Sequence, residues 1–319
     1  MKAAIVTGPG MTPIYGDFDE PPAKEGEERI AVTASALSQL TKGRASGSHY
    51  SASGRFPTIP GVDGVGRTAD GHRVYFVLPE APFGAMAEYV TIRRARCIPL
   101  PEGLDDVTAA AIANPGMSSW AALKERACLV AGENVLIHGA TGVAGRLAVQ
   151  IAKYMGAKKV IAAGRNAQAL EELRALGADA TVSLLLPPEE LEAAFREQFA
   201  GDGVHVVLDY LWGPSAETLI VAAAKADREE IPVRYVNIGS MAGAEIKLPA
   251  AALRSTDLKL MGSGIGSVPV AGLLGSIRGV FEATGPGNFQ IETKAVPLAD
   301  VEANWNKESG SSRVVFVVG

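Results

Sequence analysis

Residues 134–165 read NVLIHGATGVAGRLAVQIAKYMGAKKVIAAGR. Val135, Leu136 and Ile137 form a short apolar run with β propensity that ends at Gly139. Gly139, Gly142 and Gly145 follow at intervals of three, and Leu147, Ile151, Tyr154 and Met155 then recur at helical spacing. Val160–Ala163 is a second apolar run. Strand, glycine turn, helix and strand in this order predict a dinucleotide-binding βαβ unit. Glycines let the backbone approach a pyrophosphate closely, and the helix N-terminus offers it free N–H groups and a positive dipole end. The expected backbone contacts are Gly139, Thr141, Gly142, Val143, Ala144 and Gly145.

The second strand bears on which dinucleotide is bound. An NAD-preferring unit places Asp or Glu about 20 residues beyond the glycines, where it holds the ribose 2′-OH. Here the strand ends in Gly164-Arg165-Asn166 with no acid. A planar guanidinium matches phosphate oxygens in pairs, so Arg165, with Asn166 beside it, predicts a 2′-phosphate and therefore NADPH. The alternative is a solvated arginine at a strand end.

A chain of 319 residues is long enough for two domains. The net charge is −5 with both signs interspersed, which argues against a nucleic-acid footprint or a basic membrane patch. Hydrophobic content of 47% and 36 glycines suit an α/β enzyme with buried parallel strands. The opening MKAAIVTGPG does not read as a signal peptide, and no apolar stretch approaches the roughly 20 residues of a spanning helix. A cytoplasmic protein acting on a small molecule is expected. Cys97 and Cys128 lie in apolar surroundings and read as small core residues. With His49, His72, His138 and His205 they give no metal-ligand spacing, so no metal is expected.

Outside the quoted stretch, residues 1–113 show short strand candidates at Ala3–Val6, Glu28–Ala34, Gly64–Thr68, Arg73–Val77 and Ala87–Ile92, separated by turn residues. Asp105 or Asp106 can cap a helix over Val107–Ala113 that Pro115-Gly116 breaks, and Ser118 or Ser119 can cap a second helix to Ala127. Strands at 180–184, 204–210, 233–238 and 258–262 then alternate with helices at 168–177, 188–200 and 214–225. This alternation predicts a parallel, doubly wound sheet over 114–263. A helical stretch, Val270–Phe281, and a final strand, Val314–Val318, are too little to fold alone. Residues 264–319 are therefore expected to join 1–113 in one discontinuous β domain.

Several motifs in order resemble the medium-chain dehydrogenase/reductase superfamily. They are Pro60-Gly61-Val62-Asp63-Gly64-Val65-Gly66, Gly84-Ala85-Met86-Ala87-Glu88-Tyr89, Pro99-Leu100-Pro101-Glu102-Gly103-Leu104, Pro115–Leu123 and Leu253–Leu260. The chain is most similar to the zinc-free quinone oxidoreductase branch. Ser38 stands where the zinc-dependent branch has Cys, Val62-Asp63 replaces its His-Glu pair, and there is no four-cysteine lobe. The resemblance implies a Rossmann doubly wound parallel sheet plus a discontinuous GroES-like β domain. It also implies hydride transfer from NADPH to a quinone or activated C=C without a metal, and a homodimer paired through its last sheet strand.

It further implies site residues. Tyr50, one residue beyond the usual spacing, matches a family tyrosine that donates to the acceptor's oxygen; His49 is the alternative donor, and a mobile polar loop over Ser48–Ser53 the bland reading. Ser118 matches a family threonine facing the nicotinamide, or else is a plain cap. Gly239, Ser240 and Gly264 follow strand ends at the ligand edge, and Arg313 matches a basic residue that reaches the cofactor, or else is an exposed charge. Asp209 either caps a helix or orients a loop. Tyr154 and Lys158 have the Y-x-x-x-K spacing of short-chain dehydrogenases, but Tyr154 sits on the first helix after the glycines and reads as core. An enoyl-thioester reductase and a non-catalytic NADPH-binding redox sensor are the other readings.

Overall fold

The computed structural model describes residues 1–22, 24–226, 231–307 and 310–319. It forms two compact units, Met1–Asn114 with Val280–Glu282 and Gln290–Gly319, and Pro115–Gly279 with Ala283–Phe289.

In the first unit β1 (Lys2–Ile5) pairs antiparallel with β2 (Ile14–Asp17). A larger sheet is built on the long β3 (Glu27–Ala36), whose alternating Ile30 and Val32 side chains are buried. β4 (Asp63–Arg67), β5 (Arg73–Val77), β6 (Tyr89–Arg93) and β7 (Cys97–Pro99) join it in antiparallel pairs. Between β3 and β4 lies α1 (Gln39–Ser46). Its ends are set by local chemistry. The Ser38 hydroxyl accepts the Thr41 amide at 2.9 Å, and Gly47 closes the helix at φ 80°.

The expected break at Pro115 does not occur. α2 runs unbroken over Asp106–Ala121 with Pro115 inside it, followed by a π-helical turn over Ala122–Arg126. Asp105 caps it by accepting the Thr108 amide at 2.9 Å. An internal proline costs a helix about 3 kcal/mol. Burial of Ala109–Ala113, Trp120 and Ala121 offsets that cost.

The second unit alternates β8 (Asn134–His138), α3 (Val143–Tyr154), β9 (Lys159–Gly164), α4 (Ala167–Ala175), β10 (Ala180–Ser183), α5 (Pro188–Phe199), β11 (Val206–Asp209), α6 (Gly213–Lys225), β12 (Val233–Asn237), α7 (Ala250–Arg254), β13 (Leu258–Gly262) and α8 (Val270–Thr284). All strand pairs are parallel, in the order β10-β9-β8-β11-β12-β13. The expected doubly wound sheet is present, and its order reverses between β8 and β11, where such sheets open a crevice. Leu136, Ile161, Val207 and Tyr235 of the sheet pack with Phe195, Phe199 and Leu219 of its helices.

The chain then adds β14 (Thr293–Pro297), α9 (Val301–Asn304) and β15 (Arg313–Val317) to the first unit, β15 pairing with both β14 and β3. The return comes later than residue 264. Most of α8 belongs to the second unit, where Leu273 packs with Val268, Ala121 and Met117.

Two side chains differ from their sequence reading. Cys128 is exposed on a residue with φ 50°, and Cys97 is only half-buried, its thiol pushed up to about 11 by burial and by Glu28. Tyr154 is 46% exposed rather than core, with its ring edge against Phe289 at 5.5 Å.

Candidate dinucleotide site and acceptor loop

Because the second sheet is wholly parallel, the carboxyl ends of its strands share one edge. The Gly139–Gly145 turn follows β8 there, Arg165 and Asn166 follow β9, Gly239 and Ser240 follow β12, and Gly264 follows β13. The turn is locked to β9, since the Gly139 and Ala140 amides both donate to the Ala163 carbonyl at 3.0 and 2.9 Å. A Cβ on Gly145 would fall on the Gly139 carbonyl oxygen and lie 2.5 Å from the Ala140 Cα, both rigid backbone. Gly142 has no atom nearer than 3.9 Å to its would-be Cβ, so open space lies before the turn. α3 starts there without a side-chain cap, leaving the Val143, Ala144 and Gly145 amides no partner within the helix. An anionic diphosphate fits this cradle in shape and charge.

Beneath the turn lies a polar cluster that reading along the chain did not find. His138 Nδ1 donates to Asp209 Oδ1 at 2.7 Å, with both side chains fully buried, and the Tyr235 hydroxyl donates to Asp209 Oδ2 at 2.9 Å. The Leu211 and Trp212 amides donate to Oδ1 at 2.9 and 3.0 Å. The Asp209 carbonyl accepts the Ile238 and Gly239 amides at 2.7 and 3.1 Å. One residue therefore ties together the ends of β8, β11 and β12, which settles Asp209 as a loop-orienting group. Burial opposes its charge, but His138 and the two amides prevail and hold the carboxyl below its ordinary range. Burial, then Asp209, drives the Tyr235 hydroxyl well above its ordinary value.

Ser118 does not cap a helix: it lies within α2 and its hydroxyl donates to the Pro115 carbonyl at 2.8 Å. Neighbouring Ser119 is 2.8 Å from the Tyr210 hydroxyl, which burial pushes up to about 12. Asn166 caps α4, accepting the Ala169 amide at 3.0 Å, while Arg165 is exposed and joins no ion pair among the described residues. The Gly264 amide donates to the Ser267 hydroxyl at 2.8 Å.

In the first unit, Tyr50 is 72% exposed just beyond α1, its ring 4.2 Å from that of His49. His49 Nδ1 accepts the Ser51 amide at 3.1 Å, which places the ring proton on Nε2. Burial, then Arg44, holds the His49 pKa below its ordinary value, so the imidazole is neutral at pH 7. Arg313 is not an exposed charge. Its Nε and Nη2 are buried without a hydrogen-bond partner among the described residues, and its charge acts on Asp63 and Tyr75. Burial raises the Asp63 carboxyl to about 6 against the pull of Tyr75, whose hydroxyl donates to it at 2.5 Å, and of Arg313.

Several proteins similar to this chain are quinone reductases. Residues 144–274 match a family model described as zinc-binding dehydrogenase. A probable NADPH-dependent quinone reductase of Emericella nidulans is 29% identical over 99% of this chain and 100% of its own. Human quinone oxidoreductase is 34% identical over 49% of this chain and 50% of its own. The crystal structure of a quinone oxidoreductase from Thermus thermophilus, also studied with NADPH, superposes with a TM-score of 0.81 at 26% identity, covering 99% of this chain and all of that one. This chain is similar in sequence and fold to quinone-oxidoreductase-like medium-chain dehydrogenases/reductases.

The positions that the resemblance compares with zinc ligands have other contacts here. Ser38 caps α1, Val62 is buried, and Asp63 is held by Tyr75. Among the described residues, no three or more His, Cys, Asp or Glu side chains could together hold a metal, and no helix is long and apolar enough to cross a membrane.

Proposed function

We propose that this reductase uses NADPH to reduce a quinone or an activated C=C without a metal. The observation that carries the reading is the open, amide-lined glycine turn with Arg165 at the end of the next strand in place of an acid. Relatives named as NADPH-dependent quinone reductases support it. The Val143, Ala144 and Gly145 amides would hold the pyrophosphate, Arg165 and Asn166 the 2′-phosphate, and Ser118, Gly239, Ser240 and Gly264 the remainder, with Arg313 a further contact that the resemblance implies. Bound NADPH supplies the hydride. Negative charge then develops on the acceptor's oxygen, and the Tyr50 hydroxyl beside His49 donates to it. Ser38 and Val62 offer no thiolate or imidazole for a zinc ion. A cytoplasmic homodimer completes the proposal, supported by β13, an edge strand with main-chain groups open to a second copy.

Arg165→Ala is expected to raise the KM for NADPH at least about tenfold, the worth of one charge-assisted phosphate contact, and to leave that for NADH nearly unchanged. A wild-type preference for NADH that survives the substitution contradicts the assignment. Tyr50→Phe is expected to lower kcat by about 100-fold if its hydroxyl carries the proton. Unchanged kcat removes it from the mechanism. The reading as a whole is tested by NADPH oxidation at 340 nm, with chelator present, against quinones, enones and enoyl-CoA esters. Turnover of quinones or enones supports it. Turnover of the thioesters alone points to an acyl reductase, and tight NADPH binding without turnover to a sensor.

A further inference from the structure

Thr41, Arg44 and Ala45 lie on one face of α1, at the helical spacing of neighbours. With Phe56, Thr58 and Phe83 they line a cavity inside the first unit, and Arg55 stands at its wall. Among the described residues, these two arginines are its only charged lining, and no carboxylate faces it. Arg44 is the less exposed of the two. It is half-buried, burial lowers its pKa, and its guanidinium makes no hydrogen bond or ion pair among the described residues. Two arginines of the same unit, by contrast, are paired: Arg29 with Glu20 at 2.8 Å and Arg73 with Asp106 at 2.5 Å. A partly desolvated cation without a counter-ion costs stability, and a folded chain tolerates that where a ligand brings the anion.

The cavity's volume is about 40 Å³. A single water needs about 10–15 Å³, so the space admits a group of about three heavy atoms. A carboxylate has that size, and its two oxygens match the guanidinium fork. The cavity also adjoins the proposed donor loop: Arg44 lies in the last turn of α1, just before Gly47–Tyr50, and its charge acts on His49.

We propose that the Arg44 cavity binds a carboxylate carried by the hydride acceptor, so that the substrate is an anionic enone or quinone rather than a neutral one. This rests on the reductase reading above and narrows it. The test compares 4-oxopent-2-enoate with its methyl ester as acceptors for NADPH oxidation. Wild type is expected to show a kcat/KM at least tenfold higher for the acid. Arg44→Gln is expected to bring that ratio close to one by raising KM for the acid, and Arg44→Lys, which keeps charge but not the fork, to retain part of it. Equal kcat/KM for acid and ester in wild type, or a ratio that R44Q leaves intact, overturns the proposal. A variant that had merely loosened α1 lowers both acceptors alike and leaves the ratio, which also counts against it. Calorimetric binding of the unreactive 4-oxopentanoate keeps the two readings separate. If neither acceptor is reduced and no quinone is reduced either, the reductase reading fails. Binding that R44Q weakens at least tenfold still supports the carboxylate cavity, and no binding, or binding that R44Q leaves intact, overturns it.

Discussion

Gly145→Ala is expected to weaken NADPH binding by roughly 100-fold, about 2.7 kcal/mol, and to lower the unfolding free energy by about 1–3 kcal/mol. The added methyl meets the Gly139 carbonyl oxygen and the Ala140 Cα, neither of which can rotate aside. Relief requires the turn to move off β9, breaking the two hydrogen bonds that the Gly139 and Ala140 amides donate to the Ala163 carbonyl and displacing the helix N-terminus. Gly142→Ala separates the two effects. Its methyl enters open space at a φ of −80° that any residue adopts, so stability is expected to stay within about 0.5 kcal/mol of wild type. Binding is nevertheless expected to fall, because the methyl occupies the room before the amides. Thermal unfolding paired with a fluorescence titration of NADPH reads both. A Gly145→Ala protein that binds NADPH like wild type contradicts the placement of the pyrophosphate.

Asp209→Ala is expected to destabilise the protein by about 3–5 kcal/mol, because several buried donors lose their acceptor at about 1–3 kcal/mol each. It strands the His138 imidazole, the Tyr235 hydroxyl and the Leu211 and Trp212 amides away from water. Asp209→Asn keeps the amide acceptor and the shape but loses the charge, so a smaller cost is expected. The pH dependence distinguishes the charge from the shape. The folded pKa of Asp209 lies below its ordinary 3.8, so its contribution is present in full above that value. It is lost as pH falls through the lower folded value. Urea midpoints of wild type from pH 8 to 3 should therefore carry an acid decline that Asp209→Asn lacks in part. Identical acid limbs in the two proteins contradict an ionised Asp209.

Much of the fold is legible because it rests on local signals. The apolar run before Gly139, the glycines at intervals of three and the stripe through Leu147 and Ile151 specify β8, α3 and the turn between them within a short stretch. The turns after β9, β12 and β13 could be placed because a parallel sheet puts every strand's end on one edge. α1 was not legible, since its Gln39–Ser46 sequence has almost no apolar periodicity and is helical through its caps and the burial of Thr41 and Ala45. Pro115 misled for the opposite reason, as a local rule gave way to the packing of α2. The polar clusters are the hardest to foresee. His138 and Asp209 stand 71 residues apart, and only the neighbouring registers of β8 and β11 bring them together. Arg313 likewise reaches Asp63 through β15 pairing with β3, and β3 with β4.

The account turns on whether hydride leaves a nicotinamide bound to this chain and enters an acceptor. Purified wild type supplied with [4,4-²H₂]NADPH, chelator and 4-oxopent-2-enoate provides that measurement by mass and NMR analysis of the product. The account predicts a saturated keto acid carrying one deuterium at the former alkene carbon, β to the ketone. Tight NADPH binding with both this enone and a panel of quinones returned unreduced, or product without deuterium, would contradict it.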